Sequence, residues 1–272
     1  MSIVANYAKR QLKAGKLAIG LGLRQARTVD TAQIAKTCGF DWLFIDTEHN
    51  SMTVDTAAQI SSAALAIGVT PLVRVPGFEH HHASRALDNG AQGVVVPHVD
   101  TVEVARRIAD QCRFPPIGHR SMGGGLQQVG FAPMPLGELA RTINEETLVV
   151  VMLESPAAIE NCVAIAAVPG IDALLIGTND LCFEMGMPGR FDDPKVLAAY
   201  ERVIAACRKH GKFPGMGGVY TPELLERYIG MGMQLILSGS DFALLMQAGA
   251  ARASLVRSYE KNEQTAAAPR VP

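Results

Sequence analysis

Two acidic residues lie where neighbouring predicted strands end, and their positions point to cation chemistry. Glu154 ends the apolar run TLVVVMLE (147–154), and Asp180 follows the next apolar run, ALLIGT (173–178). Two carboxylates held close together repel each other unless a proton or a hard cation lies between them. Because these ligands offer only oxygen, we expect Mg²⁺, Mn²⁺ or Co²⁺ rather than zinc. Either residue alone is more often a helix cap or an ion-pair partner, so the prediction depends on the two converging.

A histidine and an arginine in the second and third predicted strands could serve the same chemistry. The run WLFIDTEH (42–49) ends in His49, and Arg74 lies inside the apolar run PLVRV (71–75). A buried arginine is costly unless an anion meets it, and a substrate carboxylate or enolate is such an anion. A lone histidine near an apolar run is more often a hydrogen-bonded core residue. Beside a cation and an arginine, however, a general base is the better interpretation of His49.

No lysine is placed for Schiff-base chemistry. Such chemistry requires a desolvated lysine that is nucleophilic at neutral pH. None of the lysines ends a predicted strand, and Lys212 lies at the start of the seventh run, which is the wrong rim. Activation of a substrate carbonyl must then come from the cation and Arg74, as Lewis acid and electrostatic stabiliser.

The pattern of apolar runs predicts a framework that brings strand ends together. Short β-rich runs alternate with segments of helical periodicity, as in repeated βα units. The runs are 17–23, 42–49, 71–75, 93–99, 147–154, 173–178, 212–219 and 234–241. Eight such units close most simply into a (β/α)8 TIM barrel, whose active sites lie at the C-terminal ends of the strands. An open doubly wound sheet competes, but no G-x-G-x-x-G follows the first run.

Length and composition agree with one soluble domain. We predict a single barrel with an N-terminal helix over residues 1–258 and a flexible tail over 259–272. Lys plus Arg (25) nearly balances Asp plus Glu (26), so a small molecule is expected as the partner, with no nucleic acid and no membrane. The five cysteines are most simply buried free thiols, and the chain shows neither a signal peptide nor a membrane span. A cytoplasmic location follows as an expectation.

One irregular stretch, residues 114–146, separates the fourth and fifth predicted strands. It carries PPIGHRSMGGG and FAPMPLG, and long inserts of this composition are usually lids or binding loops. We expect Arg120 and the glycines Gly123 to Gly125 to close over a second substrate, with the guanidinium binding a distal carboxylate. The alternative is a surface loop whose arginine pairs with an acid of the same chain or of a neighbouring subunit.

Six motifs in this order resemble the HpcH/HpaI aldolase family. They are FDWLFIDTEH, PLVRV, ALDNGAQGVVVPHV, PPIGHRS, LESPAAIEN and GTNDL, and the likeness extends from about residue 17 to about residue 255. The resemblance implies a TIM barrel of the phosphoenolpyruvate/pyruvate-binding type. It also implies a class II aldolase that makes or cleaves 4-hydroxy-2-oxo acids through a pyruvate enolate. Its partners would be a 2-oxo acid (pyruvate, oxaloacetate or hydroxypyruvate) and an aldehyde.

The resemblance also implies roles for individual residues. It makes Glu154 and Asp180 the metal ligands, His49 the base and Arg74 the stabiliser of the enolate. Asp88 of ALDNG would orient His49, from a neighbouring subunit in some members, and a homo-hexamer built as a trimer of dimers is implied. Backbone N–H groups of Asn179 and Asp180 would hold the pyruvate carboxylate.

Two departures from the family pattern put the second substrate in doubt. Met152 stands where many members have glutamine, and Gly177-Thr178-Asn179-Asp180 stands where they read G-P-A-D. Because oxaloacetate fits the same chelation, with CO₂ leaving instead of an aldehyde, an oxaloacetate-decarboxylating or citrate-forming synthase of the same family is an alternative. A barrel that binds a 2-oxo acid without turnover is a further alternative, although such a protein would need no base like His49.

Overall fold

The fold is a closed barrel of eight parallel strands that follow one another in chain order. It is known from a computed structural model, which describes residues 3–260. The strands are β1 (Ala18–Leu23), β2 (Trp42–Asp46), β3 (Thr70–Arg74), β4 (Gly93–Val96), β5 (Leu148–Leu153), β6 (Ala173–Gly177), β7 (Phe213–Gly217) and β8 (Leu235–Ser240). Strand β1 pairs with both β2 and β8, which closes the barrel. The predicted (β/α)8 fold is confirmed.

Helices cover the outside of the barrel and connect its strands. They are α1 (Tyr7–Lys13), α2 (Thr31–Thr37), α3 (Val54–Ile67), α4 (His80–Asp88), α5 (Val102–Cys112), α6 (Leu136–Glu146), α7 (Pro156–Ala166), α8 (Thr178–Glu184), α9 (Pro194–His210), α10 (Pro222–Met231) and α11 (Asp241–Arg257). Local sequence sets several of their ends. The Thr53 side chain caps α3 by accepting from the amide of Thr56, and Gly68 ends that helix in the left-handed conformation at φ 76°.

Strand alternation places the residues of interest at one end of the barrel interior. The interior cluster includes every second residue along most strands: Trp42, Phe44, Leu72, Val95, Leu148, Val150, Met152, Ala173 and Leu175. Because successive side chains of a strand point to opposite faces, one further step along this series points Asp46, Arg74 and Glu154 inward. All three then lie at the C-terminal ends of their strands.

Helix α1, the predicted N-terminal helix, closes the opposite end of the barrel. Ala8 and Leu12 join the interior cluster. The Asn6 side chain accepts from the amide of Lys9 at 2.9 Å, and the Lys9 ammonium donates to the Thr147 carbonyl at 2.7 Å. Lys9 also pairs with Asp172 at 3.0 Å. This buried lysine therefore serves packing at the N-terminal end, away from the strand ends that carry the polar residues.

The 114–146 stretch packs against the barrel instead of forming an open loop. Its apolar side chains form a cluster of their own, made of Phe114, Leu126, Val129, Leu139 and Ile143. The Asn144 side chain accepts from the amide of Phe114 at 2.9 Å and donates to its carbonyl at 3.0 Å. The stretch is thus a small annex with helix α6 at its end.

The remaining structural expectations concern thiols, membrane spans and the tail. Cys112, Cys162, Cys182 and Cys207 are buried free thiols as expected, whereas Cys38 is an exposed one. Within residues 3–260, no helix combines the length and apolar character that crossing a membrane requires. Most of the predicted tail, residues 261–272, lies outside the described residues.

Barrel closure leaves no room for a side chain at Gly93. A Cβ there would lie 2.1 Å from the carbonyl oxygen of Leu148 on the neighbouring strand. We expect Gly93→Ala to lower the free energy of unfolding by about 3 kcal/mol or more, because backbone must move to admit the methyl group. Urea titration followed by circular dichroism measures the change.

Gly137→Ala is the matched control. Gly137 lies in α6, where a Cβ would meet no atom within 4 Å, so alanine should be neutral or slightly stabilising. Equal unfolding midpoints for the two variants would contradict the proposed strand contact.

Candidate active site

A cavity of about 190 Å³ opens at the C-terminal end of the barrel. Its charged and polar lining comprises Arg24, Asp46, His49, Arg74, Thr178, Asn179, Asp180, Tyr220 and Ser240. Four residues singled out from the sequence therefore share one pocket: His49, Arg74, Asn179 and Asp180. No lysine from the described part of the chain lines it, in agreement with the reasoning against Schiff-base chemistry.

Arg74 is held by carboxylates of the same chain. Its Nε donates to Asp46 Oδ1 at 2.9 Å and one terminal nitrogen donates to Asp46 Oδ2 at 2.6 Å. The other terminal nitrogen lies 2.9 Å from Glu48 Oε2. A guanidinium has five N–H donors, so donors remain for a substrate oxygen after these contacts. Arg74 is thus a fixed cation whose burial is compensated before any substrate binds.

Asp46 is the residue that fixes this arrangement. Burial by itself raises the pKa of Asp46, but hydrogen bonds and charge from Arg74 outweigh burial and bring the pKa below its ordinary value. Asp46 Oδ1 also accepts from the amide of Glu48 at 3.0 Å, and its carbonyl accepts from the Asn50 side chain at 2.7 Å. One ionised side chain therefore holds both the arginine and the loop that follows β2.

His49 projects from that loop at the mouth of the cavity. Its side chain is 52% exposed, and its Nε2 lies 3.6 Å from Glu48 Oε2. His49 is therefore not the core histidine that the sequence offered as an alternative, and its imidazole is open to solvent and substrate. Such a position suits a group that exchanges protons with both.

Glu154 is a deeply buried acid beside the cavity and is not one of the residues that line it. It is 2% exposed, and its Oε2 accepts from the backbone amide of His98 at 2.8 Å. A Cβ at residue 177 would lie 2.6 Å from Glu154 Oε1, so Gly177 leaves the space that the Glu154 side chain occupies. Burial raises the pKa of Glu154 to about 7; the charge of Asp180 adds to the rise, whereas the His98 amide opposes it.

Asp180 approaches Glu154 from the first turn of α8. The hydroxyl of Thr178 anchors this turn, because it is buried and bonds to the Tyr200 hydroxyl at 2.7 Å and the Gly217 carbonyl at 2.8 Å. The first amides of a helix have no partner inside it, and here they belong to Thr178, Asn179 and Asp180. Thr178 thus ties α8 to the barrel through its hydroxyl.

The donor set fits a hard divalent cation with few protein ligands. Within the described residues, no group of three or more His, Cys, Asp or Glu side chains is arranged to hold a metal. Glu154 and Asp180 are close enough for the charge of one to raise the pKa of the other. Glu154 also lies 3.4 Å from the His98 ring. Two converging carboxylates beside a cavity that can admit substrate oxygens match the coordination that Mg²⁺ or Mn²⁺ accepts.

Asp88 and Arg120 are brought together, but away from this cavity. A terminal nitrogen of Arg120 lies 2.6 Å from Asp88 Oδ1, and the guanidinium stacks over Phe114 at 4.6 Å. Arg120 is 4% exposed, and its Nε and other terminal nitrogen have no hydrogen-bond partner within the described chain. Neither residue lines the cavity, so one copy of the chain does not bring Asp88 to His49 or Arg120 to the pocket.

The family model described as HpcH/HpaI aldolase/citrate lyase matches residues 24–248. The chain belongs to this family. A 4-hydroxy-4-methyl-2-oxoglutarate aldolase of Chaetomium globosum is 39% identical over 94% of the chain and 97% of that relative. A 2-keto-3-deoxy-L-rhamnonate aldolase of Klebsiella pneumoniae is 33% identical over 97% of both.

Solved structures of the family have the same barrel. An HpcH/HpaI aldolase from Desulfitobacterium hafniense superposes with a TM-score of 0.88 at 30% identity, over 95% of this chain and 99% of that one. Macrophomate synthase superposes with a TM-score of 0.77 at 25% identity, over 93% and 88%. The predicted family and enzyme class are confirmed, and the chain is an aldolase.

Sequence reasoning missed three residues of this aldolase's pocket region. Arg24 directly follows β1, so the rule that found His49 and Asp180, a charged residue after a strand, would also have found it. Tyr220 follows β7 and gave no such signal. His98 was missed because its role depends on its backbone conformation and not on its residue type. Its φ of 53° is a left-handed value that is uncommon outside glycine, and this turn directs its amide to Glu154.

The raised pKa of Glu154 predicts a pH-dependent stability of the metal-free aldolase. Between its ordinary value of 4.5 and about 7, the native state keeps a proton that the unfolded chain has released. The resulting stabilisation is complete below pH 4.5 and is lost as the pH rises through 7, by at most about 3 kcal/mol. Glu154→Gln removes this titration, so wild type should lose stability relative to the variant as pH rises.

Urea titrations at several pH values between about 5 and 8, with EDTA present, measure the difference in the free energy of unfolding. Glu160→Gln is the control, since Glu160 is an exposed residue of α7. Parallel pH profiles for wild type and Glu154→Gln would show that the carboxyl does not titrate in this range.

Proposed function

We propose that this aldolase depends on a divalent cation held by Glu154 and Asp180 and makes or cleaves 4-hydroxy-2-oxo acids through a pyruvate enolate. The observation that carries the proposal is the meeting of these two carboxylates with Arg74 and His49 at one end of the barrel. When bound, the cation supplies the positive charge that lowers the energy of a developing enolate.

The protein's own groups divide the remaining work. Amides of Asn179 and Asp180, at the start of α8, hold the carboxylate of the 2-oxo acid, because helix N-termini favour anions. The unoccupied donors of Arg74 stabilise charge on the former keto oxygen. Because Asp46 and Glu48 fix the guanidinium, Arg74 does not have to reorganise during the reaction.

His49 is the proton carrier of the proposal. In cleavage it accepts the proton of the 4-hydroxyl group as the bond between C3 and C4 breaks, and the electrons of that bond become the enolate. In synthesis it removes a proton from the pyruvate methyl group. Its exposed imidazole allows the proton to be exchanged with water between these steps.

Two relatives favour a particular substrate class. The Chaetomium globosum protein and one from Hapsidospora irregularis, 40% identical over 88% of this chain, are both named for 4-hydroxy-4-methyl-2-oxoglutarate. We propose a 4-hydroxy-2-oxo diacid of this type as the substrate. Cleavage of that compound yields two pyruvates, so the acceptor would be a 2-oxo acid rather than a simple aldehyde.

A homo-oligomer completes the proposal, and we favour the hexamer that the family resemblance implies. Helix α11 has no buried residue in a single copy and exposes Phe242, Leu245 and Met246, an apolar face that a second copy would cover. Asp88 would reach His49 only from a neighbouring copy, since within its own chain it pairs with Arg120. We assign the enzyme to the cytoplasm, where free thiols persist.

Cation dependence is tested by deuterium exchange into the pyruvate methyl group. EDTA should abolish exchange, and Mn²⁺, Mg²⁺ or Co²⁺ should restore it. Glu154→Gln and Asp180→Asn should each lose activity by about 100-fold or more, because a neutral ligand replaces an anionic one. Mn²⁺ titration followed by electron paramagnetic resonance separates lost binding from lost chemistry, and Glu160→Gln should behave as wild type. Full exchange in a verified metal-free sample would overturn the assignment.

A shared site is tested by mixing two inactive variants. His49→Ala and Asp88→Asn should each be impaired alone. After the two proteins are mixed and allowed to reassemble, some sites combine an intact His49 with an intact Asp88, so exchange should partly return. A mixture as inactive as its components, with hybrid oligomers shown by native mass spectrometry, would exclude action between subunits.

A further inference from the structure

The mouth of the cavity has two sides, and the proposed binding site for the 2-oxo acid, the donor half of the substrate, lies on only one of them. Glu154 and Asp180 follow β5 and β6. In a closed ring of eight strands, β1 is opposite β5, so the ends of β8 and β1 form the side of the mouth across from Glu154. Ser240 and Arg24 line the cavity on that far side, and Tyr220 lines it after β7, between β6 and β8.

Arg24 is the unusual member of this group because its charge is not compensated. The other arginine of the lining, Arg74, faces two carboxylates. Within residues 3–260, no carboxylate lies within ion-pair distance of the Arg24 guanidinium, and its side chain makes no hydrogen bond. An exposed cation on a pocket wall, unpaired in this way, is available to an anionic ligand.

The backbone of Arg24 is nevertheless firmly placed. One carboxylate, that of Asp241, accepts from the amides of Arg24 at 2.9 Å, Gln25 at 2.9 Å and Ala26 at 2.6 Å. Asp241 begins α11 directly after β8, so these bonds join the two strand ends that flank the far side of the mouth. The loop therefore holds the start of the arginine side chain at the cavity, which lowers the ordering cost of binding an anion.

Tyr220 adds a neutral hydrogen-bond donor nearby. Burial raises the pKa of Tyr220 above its ordinary value, and the charge of Arg24 opposes that rise only in part. The hydroxyl thus keeps its proton at neutral pH. A cation together with a hydroxyl donor is a combination suited to a carboxylate.

We propose that Arg24 binds the carboxylate of the acceptor half of the substrate, so that the enzyme prefers 4-hydroxy-2-oxo diacids over acids with a neutral distal end. This inference rests on the proposed function, since it needs the donor half to lie at Glu154 and Asp180. It gives Arg24 the role that the sequence suggested for Arg120, whose guanidinium is buried against Phe114 instead.

The test compares two substrates that differ in one group. 4-Hydroxy-2-oxoglutarate carries a distal carboxylate where 4-hydroxy-2-oxopentanoate carries a methyl group. Arg24→Gln should lower kcat/KM for the diacid by about tenfold or more, as expected for loss of a charged hydrogen bond. The loss should appear mainly in KM, because the carboxylate is bound equally in ground and transition states. Cleavage of the monoacid and deuterium exchange into pyruvate should change by less than about twofold.

Two further variants complete the experiment. Arg24→Lys should recover part of the diacid preference, because it restores the charge without the planar pair of donors. Arg106→Gln removes the same charge from an exposed position of α5, and it should leave both substrates unaffected. Circular dichroism and thermal melting verify that the folds are equal.

The possible outcomes distinguish the role of Arg24 from the proposed function of the enzyme. Equal losses on both substrates, or no loss on either, would remove Arg24 from the acceptor site. A wild-type enzyme that exchanges the pyruvate methyl protons but cleaves both substrates equally well would overturn the diacid preference and the diacid substrate proposed above, and it would leave the cation-dependent aldolase mechanism standing. Absence of metal-dependent exchange in the wild type would overturn the proposed function itself.

Discussion

Closure of eight parallel strands is the constraint on which the rest of this molecule depends. Because strand side chains alternate, the interior holds one layer of apolar residues after another until the strands end. At that level the same alternation delivers Asp46, Arg74 and Glu154, from strands far apart in sequence, to one small space. The Glu154 side chain occupies the space that glycine leaves at residue 177 of the neighbouring strand.

The charges delivered to this space are not compensated evenly. Arg74 is matched by Asp46 and Glu48, so the protein stabilises its own cation. Glu154 accepts from the backbone amide of His98, whose ring nitrogen lies 3.4 Å away, and it faces the like charge of Asp180. We propose a cation for this site because the protein satisfies its arginine itself while two carboxylates approach each other, an arrangement that suits chemistry at a metal better than simple binding of a 2-oxo acid.

The ring of strand ends also divides the site by function. In the proposed mechanism, the donor half of the substrate lies at the ends of β5 and β6, the proton carrier at the end of β2, and the acceptor half at the ends of β8 and β1. Differences in acceptor among family members would then arise from loops that do not touch the enolate machinery. In this chain the distinctive element on that side is Arg24, held in place by Asp241.

The sequence by itself determined the barrel, the family and the strand ends that carry His49, Arg74, Glu154 and Asp180. Strand periodicity and a polar residue after each apolar run are local signals, so they can be recognised in the sequence alone. Only the tertiary structure decided which charges meet. It paired Arg74 with Asp46 and buried Arg120 against Asp88. It also hydrogen-bonded the loop of Arg24 to Asp241, which lies 217 residues away. Such pairings depend on distances set by barrel closure and by packing of the 114–146 annex, so no local pattern in the sequence predicts them.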